Sequence, residues 1–232
     1  MSLTEEQVSD IAKSGKPVLC VDTCILLDII RDLTADTTTA SNANAAKSLL
    51  CSASGHGLVV LLAERVWLEL SRNRPGVEEL ANKTLKRFIK AAKRMHEVAQ
   101  IFGAQGLLQA SHLQGHVERT QTVLDGWIQA AVLIPETAGV MARGAVRSTT
   151  RRTPAKIGKD SISDCVVIEA YLEAASMLRQ AGQIQPIVFV SSNTTDFTDR
   201  SGAVPYDLAQ DLSAVRLEYQ PNLGAAKHAL GL

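Results

Sequence analysis

Four acidic residues stand where their side chains could share one cation. Asp22 follows the apolar run at Pro17–Val21, Glu69 lies in a helix-like stretch, Asp164 opens a later helix, and Asp196 follows a second apolar run at Ile187–Val190. If the two runs are neighbouring parallel strands, their carboxyl ends bring acids to the crevice where open α/β sheets hold ligands. Unpaired carboxylates gathered there repel. Two of them about 5 Å apart lose roughly 3 kcal/mol at an effective dielectric near 20, a large share of a domain's marginal stability. A cation, or protons, must accompany them. Hard Mg²⁺ or Mn²⁺ ions take oxygen ligands, usually one or two direct carboxylates with water completing the shell. The alternative is that the acids are separate helix caps and surface charges. Asp160 competes with Asp164, because residues four apart share a helix face, and it stays a further candidate metal ligand.

These acids need a frame. Val18–Val21 is too short for a helix and fits a fully buried parallel strand. Asp22 and Thr23 are cap-type residues ahead of a short helix through Ile25–Ile30. A second helix is expected over Ser41–Ser54 and a strand over Leu58–Leu62. Helical spacing of Val66, Trp67 and Leu70 places Glu69 on a helix that Pro75 should end. Further helical patterns cover 77–101, 107–133 and 136–146, and nothing between Val77 and Ser148 resembles a strand. A helix over Asp160–Gln180, a strand at Ile187–Val190, a more polar edge strand at Val215–Tyr219 and a closing helix at Leu223–Leu230 complete the pattern. The expected fold is α/β: one domain over 1–232, with a doubly wound, mainly parallel sheet flanked by helices and an all-helical insertion at about 77–148.

Composition narrows the class but not the partner. Lys plus Arg and Asp plus Glu number 24 each, so net charge favours neither nucleic acid nor membrane. With 46% hydrophobic and 21% charged residues, the chain can bury a sizeable core. Cys20, Cys24, Cys51 and Cys165 lack C-x-x-C spacing and read as reduced, and no apolar run is long enough to span a bilayer. A cytoplasmic protein with no membrane partner is the expectation. Met1-Ser2-Leu3 reads as a leader and Thr4–Asp10 as a frayed helix.

The four acids sit in segments that resemble a known family. Val-Asp-Thr-Cys-Ile-Leu-Leu-Asp at 21–28, Val-Trp-Leu-Glu-Leu at 66–70, Ser-Asp-Cys-Val-Val-Ile-Glu-Ala at 163–170 and Val-Ser-Ser-Asn-Thr-Thr-Asp-Phe at 190–197 are similar, in order, to the four motifs of PIN-domain nucleases. The resemblance covers about 1–73 and 157–219 and implies a Rossmann-like parallel sheet. It also implies a Mg²⁺- or Mn²⁺-dependent ribonuclease with Asp22, Glu69, Asp164 and Asp196 at the catalytic metal site, supported by Thr23 and Ser191. Asn193 stands where many relatives carry another acid. An RNA substrate, an antitoxin-like protein inhibitor and a homodimer are the partners the family suggests. The chemistry would be metal-assisted phosphodiester hydrolysis. Two rivals stay open: a non-catalytic PIN-like scaffold that binds RNA or protein, and a structure-specific DNA nuclease.

A run of cations precedes the third motif. Arg143, Arg147, Arg151, Arg152, Lys156 and Lys159 are uninterrupted by any acid and read as a nucleic-acid track against the metal site, or as an ordinary solvated helix end. Lys83, Lys86, Arg87, Lys90, Lys93 and Arg94 make a second basic face that extends such a track or solvates the insertion. His112 and His116 lack a third ligand. Trp67 and Trp127 read as core anchors, and Cys20, Cys24 and Cys165 as small buried hydrophobes.

Overall fold

The computed structural model describes residues 3–35 and 38–232. Among them, β1 (Val18–Val21), β2 (Val59–Ala63), β3 (Ala131–Ile134), β4 (Ile187–Val190) and β5 (Leu217–Gln220) form a five-stranded parallel sheet in the order β3-β2-β1-β4-β5. Strand order reverses between β1 and β4, which pair in register from Val18 with Ile187 to Val21 with Val190. That reversal opens a crevice at their carboxyl ends. Every residue of β1 and β4 is buried. Their unbroken apolar runs follow from helices covering both faces of the sheet.

The helices are α1 (Glu5–Lys13), α2 (Thr23–Ile29), α3 (Ala40–Ser54), α4 (Glu64–Ile101), α5 (His116–Ala130), α6 (Ala138–Thr149), α7 (Ile162–Gln180), α8 (Thr194–Phe197), α9 (Tyr206–Ala214) and α10 (Leu223–Ala229). Helices α1, α6 and α7 pack together, as do α2, α3, α5 and α10. Phe189 on β4 lies at the middle of an aromatic cluster, 5.5 Å from Tyr171, 5.1 Å from Phe197 and 6.0 Å from Tyr219 between ring centroids. Helix α6 reaches α7 at Gly144. A methyl group there would lie 2.6 Å from the Val166 side chain and 3.0 Å from its backbone.

Three expectations are corrected. The start is not frayed: Thr4 and Gln7 form a reciprocal capping box, and Leu3, Val8 and Ile11 are buried. Of the expected leader, Met1 and Ser2 lie outside the described residues. Helix α4 continues through Pro75. Pro75 and Ser71 are both exposed, so water can satisfy the carbonyl left without a partner, while Arg74 bonds Glu78 and Asp125 at 2.6 Å each across the break. The 77–148 stretch is not all helical, because β3 follows α5 directly and pairs with β2. Helix α9 went unread in the sequence. No helix among the described residues is long and apolar enough to cross a membrane.

Candidate active site

The crevice at the β1–β4 switch point is lined by carboxylates, three of them held by hydrogen bonds from named neighbours. Asp22 is the N-cap of α2: one carboxylate oxygen accepts the Thr23 backbone N–H at 2.7 Å. The other accepts the Ser191 hydroxyl at 2.6 Å and the Cys24 thiol at 3.3 Å. Burial pushes its pKa up, the hydrogen bonds pull it down, and Glu69 pushes it up again, leaving it above the usual carboxylate range. Ser191 is itself held, since its carbonyl accepts the Tyr219 hydroxyl at 3.0 Å.

Glu69, in the second turn of α4, spans the crevice between two hydroxyl donors. Thr23 donates to Oε2 at 2.8 Å and Ser163 donates to Oε1. Asp164, in the first turn of α7, is pushed up to about 7, first by burial and then by the negative charge of Asp22, against the pull of Lys159, with Asp196 and Glu69 adding to the rise. Asp196, buried in α8, differs. Burial raises its pKa, but hydrogen bonds from Lys159 and from the Asn193 amide, at 2.6 Å, outweigh it and hold the group below the usual range. The Lys159 ammonium also lies 3.8 Å from Asp164, and Lys156 lies 3.6 Å from Asp196.

The four acids foreseen in the sequence therefore face one crevice, and Thr23, Ser191 and Asn193 each hold one of them. Asp160 does not join. It is exposed, precedes α7 rather than sharing a face with Asp164, and accepts the Ile162 backbone N–H at 3.2 Å in the turn that leads into the helix. The six-cation run divides in two. Arg147 is 3% exposed and bonds Glu169 at 2.6 Å, Asp211 at 2.5 Å and the Thr153 carbonyl at 2.7 Å. Arg143 pairs with Glu169 and Glu173, and Arg152 with Asp211. These three brace the scaffold, Arg151 is exposed, and only Lys156 and Lys159 reach the carboxylates.

Several residues have parts that the sequence did not announce. The Tyr171 hydroxyl donates to the Val21 carbonyl at 2.6 Å and accepts from the Ala63 N–H at 3.1 Å. It ties the ends of β1 and β2 together immediately before Asp22 and α4. Its signal was only a buried aromatic on an apolar helix face. Ser163 was visible as the residue before Asp164 but carried no sign of reaching Glu69. Cys24 is more than a buried hydrophobe: burial raises its thiol to about 12, which keeps it protonated as a donor to Asp22. Trp127 is a core anchor, but Trp67 is 38% exposed. His112 lies in a 3-10 turn and His116 begins α5, so the two share no helix face.

A sequence model of the PIN domain matches residues 19–197, from β1 through α8 and across all four acids. The chain belongs to the PIN-domain family. Searches of curated proteins and of solved structures each returned no match. Membership assigns nuclease-type function in general terms, and PIN domains typically use divalent metals. Among the described residues, no three His, Cys, Asp or Glu side chains form a ready-made cage for a metal ion. The donor set nonetheless suits a hard cation. It is all oxygen, carries an excess of negative charge that lifts Asp164, and already draws the Lys159 ammonium between Asp164 and Asp196 as a stand-in cation. Mg²⁺ asks for only one or two carboxylates, not a cage.

Proposed function

We propose that this PIN-domain chain is a Mg²⁺- or Mn²⁺-dependent endoribonuclease. The observation that carries the reading is the Lys159 ammonium seated between Asp164 and Asp196, with Asp22 and Glu69 acting electrostatically on Asp164. Asp22, Asp164 and Asp196 would hold the ion, with Glu69 positioned for water or for a second ion. When bound, the ion lowers the pKa of an attacking water and stabilises the departing oxygen of a phosphodiester.

The chain's own residues do the rest. Ser191, Cys24 and the Thr23 N–H fix the Asp22 carboxylate, so its oxygens need no reorganisation. Thr23 and Ser163 aim Glu69 across the crevice, where it can accept a proton from water. With the carboxylates holding an ion, Lys156 and Lys159 at their border would supply the cations for a phosphate backbone. RNA is favoured over DNA by the four-motif resemblance.

The test is cleavage of RNA, single-stranded DNA and flap DNA side by side, each with Mg²⁺ and with Mn²⁺. Asp22→Asn should lower RNA cleavage by at least about 10²-fold, the scale of losing a key electrostatic group, with far-UV circular dichroism unchanged. Cleavage of RNA by that variant at the wild-type rate would overturn the reading. Preference for flap DNA would redirect it to a structure-specific DNA nuclease.

A further inference from the structure

The distal half of α4 carries an unpartnered helical seam. Leu85 is the last buried residue of this helix, and from Lys86 to Ile101 none is buried, a stretch of about 24 Å. Along it Thr84, Phe88, Ala91, Met95, Val98 and Phe102 recur at alternating spacings of four and three, the period by which one helix packs lengthwise on another. Its large members are open to solvent: Phe88 is 49%, Met95 67%, Val98 49% and Phe102 85% exposed. Arg87 and Arg94 flank it, while Lys83, Lys86, Lys90 and Lys93 lie farther round the helix; all six are exposed and without an ion-pair partner among the described residues. No acid falls between Leu80 and His96. Arg87 and Arg94 each immediately precede a seam residue, the position from which charged side chains reach across to a partner helix.

The geometry points to a docking surface for an acidic amphipathic helix of another protein. Apolar residues in that helix at the same three–four spacing would cover Phe88, Met95 and Val98. Its flanking carboxylates would meet Arg87 and Arg94. A second copy of this chain fits poorly, since antiparallel pairing along the seam sets the same cations against one another. A nucleic acid would match the charge but leave the Met95, Val98 and Phe102 stripe in water.

The probe is a synthetic helical peptide with leucine at the seam positions and glutamate at the flanking positions, beside a twin with lysine in place of glutamate. Fluorescence anisotropy with the full chain should show the glutamate peptide binding at least about tenfold tighter than the twin, with affinity falling as salt rises. Phe88→Glu combined with Met95→Glu should abolish binding while leaving thermal unfolding unchanged, because both residues are exposed. Arg87→Glu with Arg94→Glu should reverse the preference toward the lysine twin. No binding of either peptide, or equal binding of both, would overturn the assignment. So would sedimentation of the chain alone as a dimer that the Phe88 and Met95 changes dissolve, or displacement of the bound peptide by a single-stranded RNA. None of these readouts involves cleavage, so they stand or fall apart from the nuclease proposal.

Discussion

Asp164 and Asp196 lie on either side of one ammonium, yet their protons are held in opposite ways. Asp164 is lifted to about 7 by burial and neighbouring acids, whereas Asp196 is held low by Lys159 and Asn193. For Asp164 the folded state binds its proton more tightly than the unfolded chain does. Its favourable contribution is therefore complete below the unfolded value near 3.8 and is lost as pH rises through about 7. Above that pH the ionised carboxylate is a cost. Asp164→Asn should accordingly raise the metal-free melting temperature at pH 8 by roughly 3–6 °C, with the gain shrinking toward zero near pH 4. Thermal unfolding of both proteins across that range checks this, and a gain independent of pH would refute it. Asp196 carries the opposite sign: its contribution is present above the unfolded value and is lost as pH falls through its depressed folded value. Asp196→Asn should thus destabilise the protein at neutral pH.

Helices α6 and α7 and the loop between them set where the two lysines stand. Gly144 lets the helices touch, and the buried Arg147 joins Glu169 on α7, Asp211 on α9 and the Thr153 carbonyl in the loop. Removing one partner of such a buried network leaves uncompensated charge, so Arg147→Ala should cost about 3–5 kcal/mol in urea unfolding. Arg151→Ala, at an exposed position, should lie within roughly 0.5 kcal/mol of wild type. Had Arg147 been part of a substrate track, these two would weaken RNA binding alike and leave stability alone. The sequence could not divide them, because a run of cations says nothing about the distant acids, Glu169 and Asp211, that consume half of it. It was clear where burial is two-sided: β1 and β4 are short unbroken apolar runs, and each ends in a motif that holds an acid. It was silent where an element is short and continuous with its neighbour, as with β3, whose Ala-Val-Leu-Ile extends the apolar pattern of α5 without a turn residue. Pro75 misled in the other direction, since an exposed helix face lets water take the hydrogen bond that proline removes.

At the scale of the whole molecule, segments far apart in sequence are folded into mutual repulsion, and the loop lysines relieve it. Lys159 partly neutralises Asp164 and Asp196 from a loop secured by Arg147. Lys159→Met removes that cation while keeping much of the side-chain volume, so it should lower the metal-free melting temperature at pH 8, where Asp164 is ionised. A ligand that binds only the folded state stabilises it by RT ln(1 + [L]/Kd), about 2.7 kcal/mol at a hundredfold excess over Kd, which for a chain of this size is roughly 5–10 °C. Mn²⁺ should therefore stabilise wild type at pH 8, and stabilise Lys159→Met more, because no ammonium has to leave. Asp22→Asn should blunt the effect in both backgrounds. Calorimetric scans with and without Mn²⁺ separate the possibilities without reference to cleavage. If Mn²⁺ stabilises all four proteins equally, the ion binds elsewhere and the crevice is a lysine-neutralised structural cluster. If it stabilises Lys159→Met alone, the native loop keeps the ion out, and metal entry requires the loop to move.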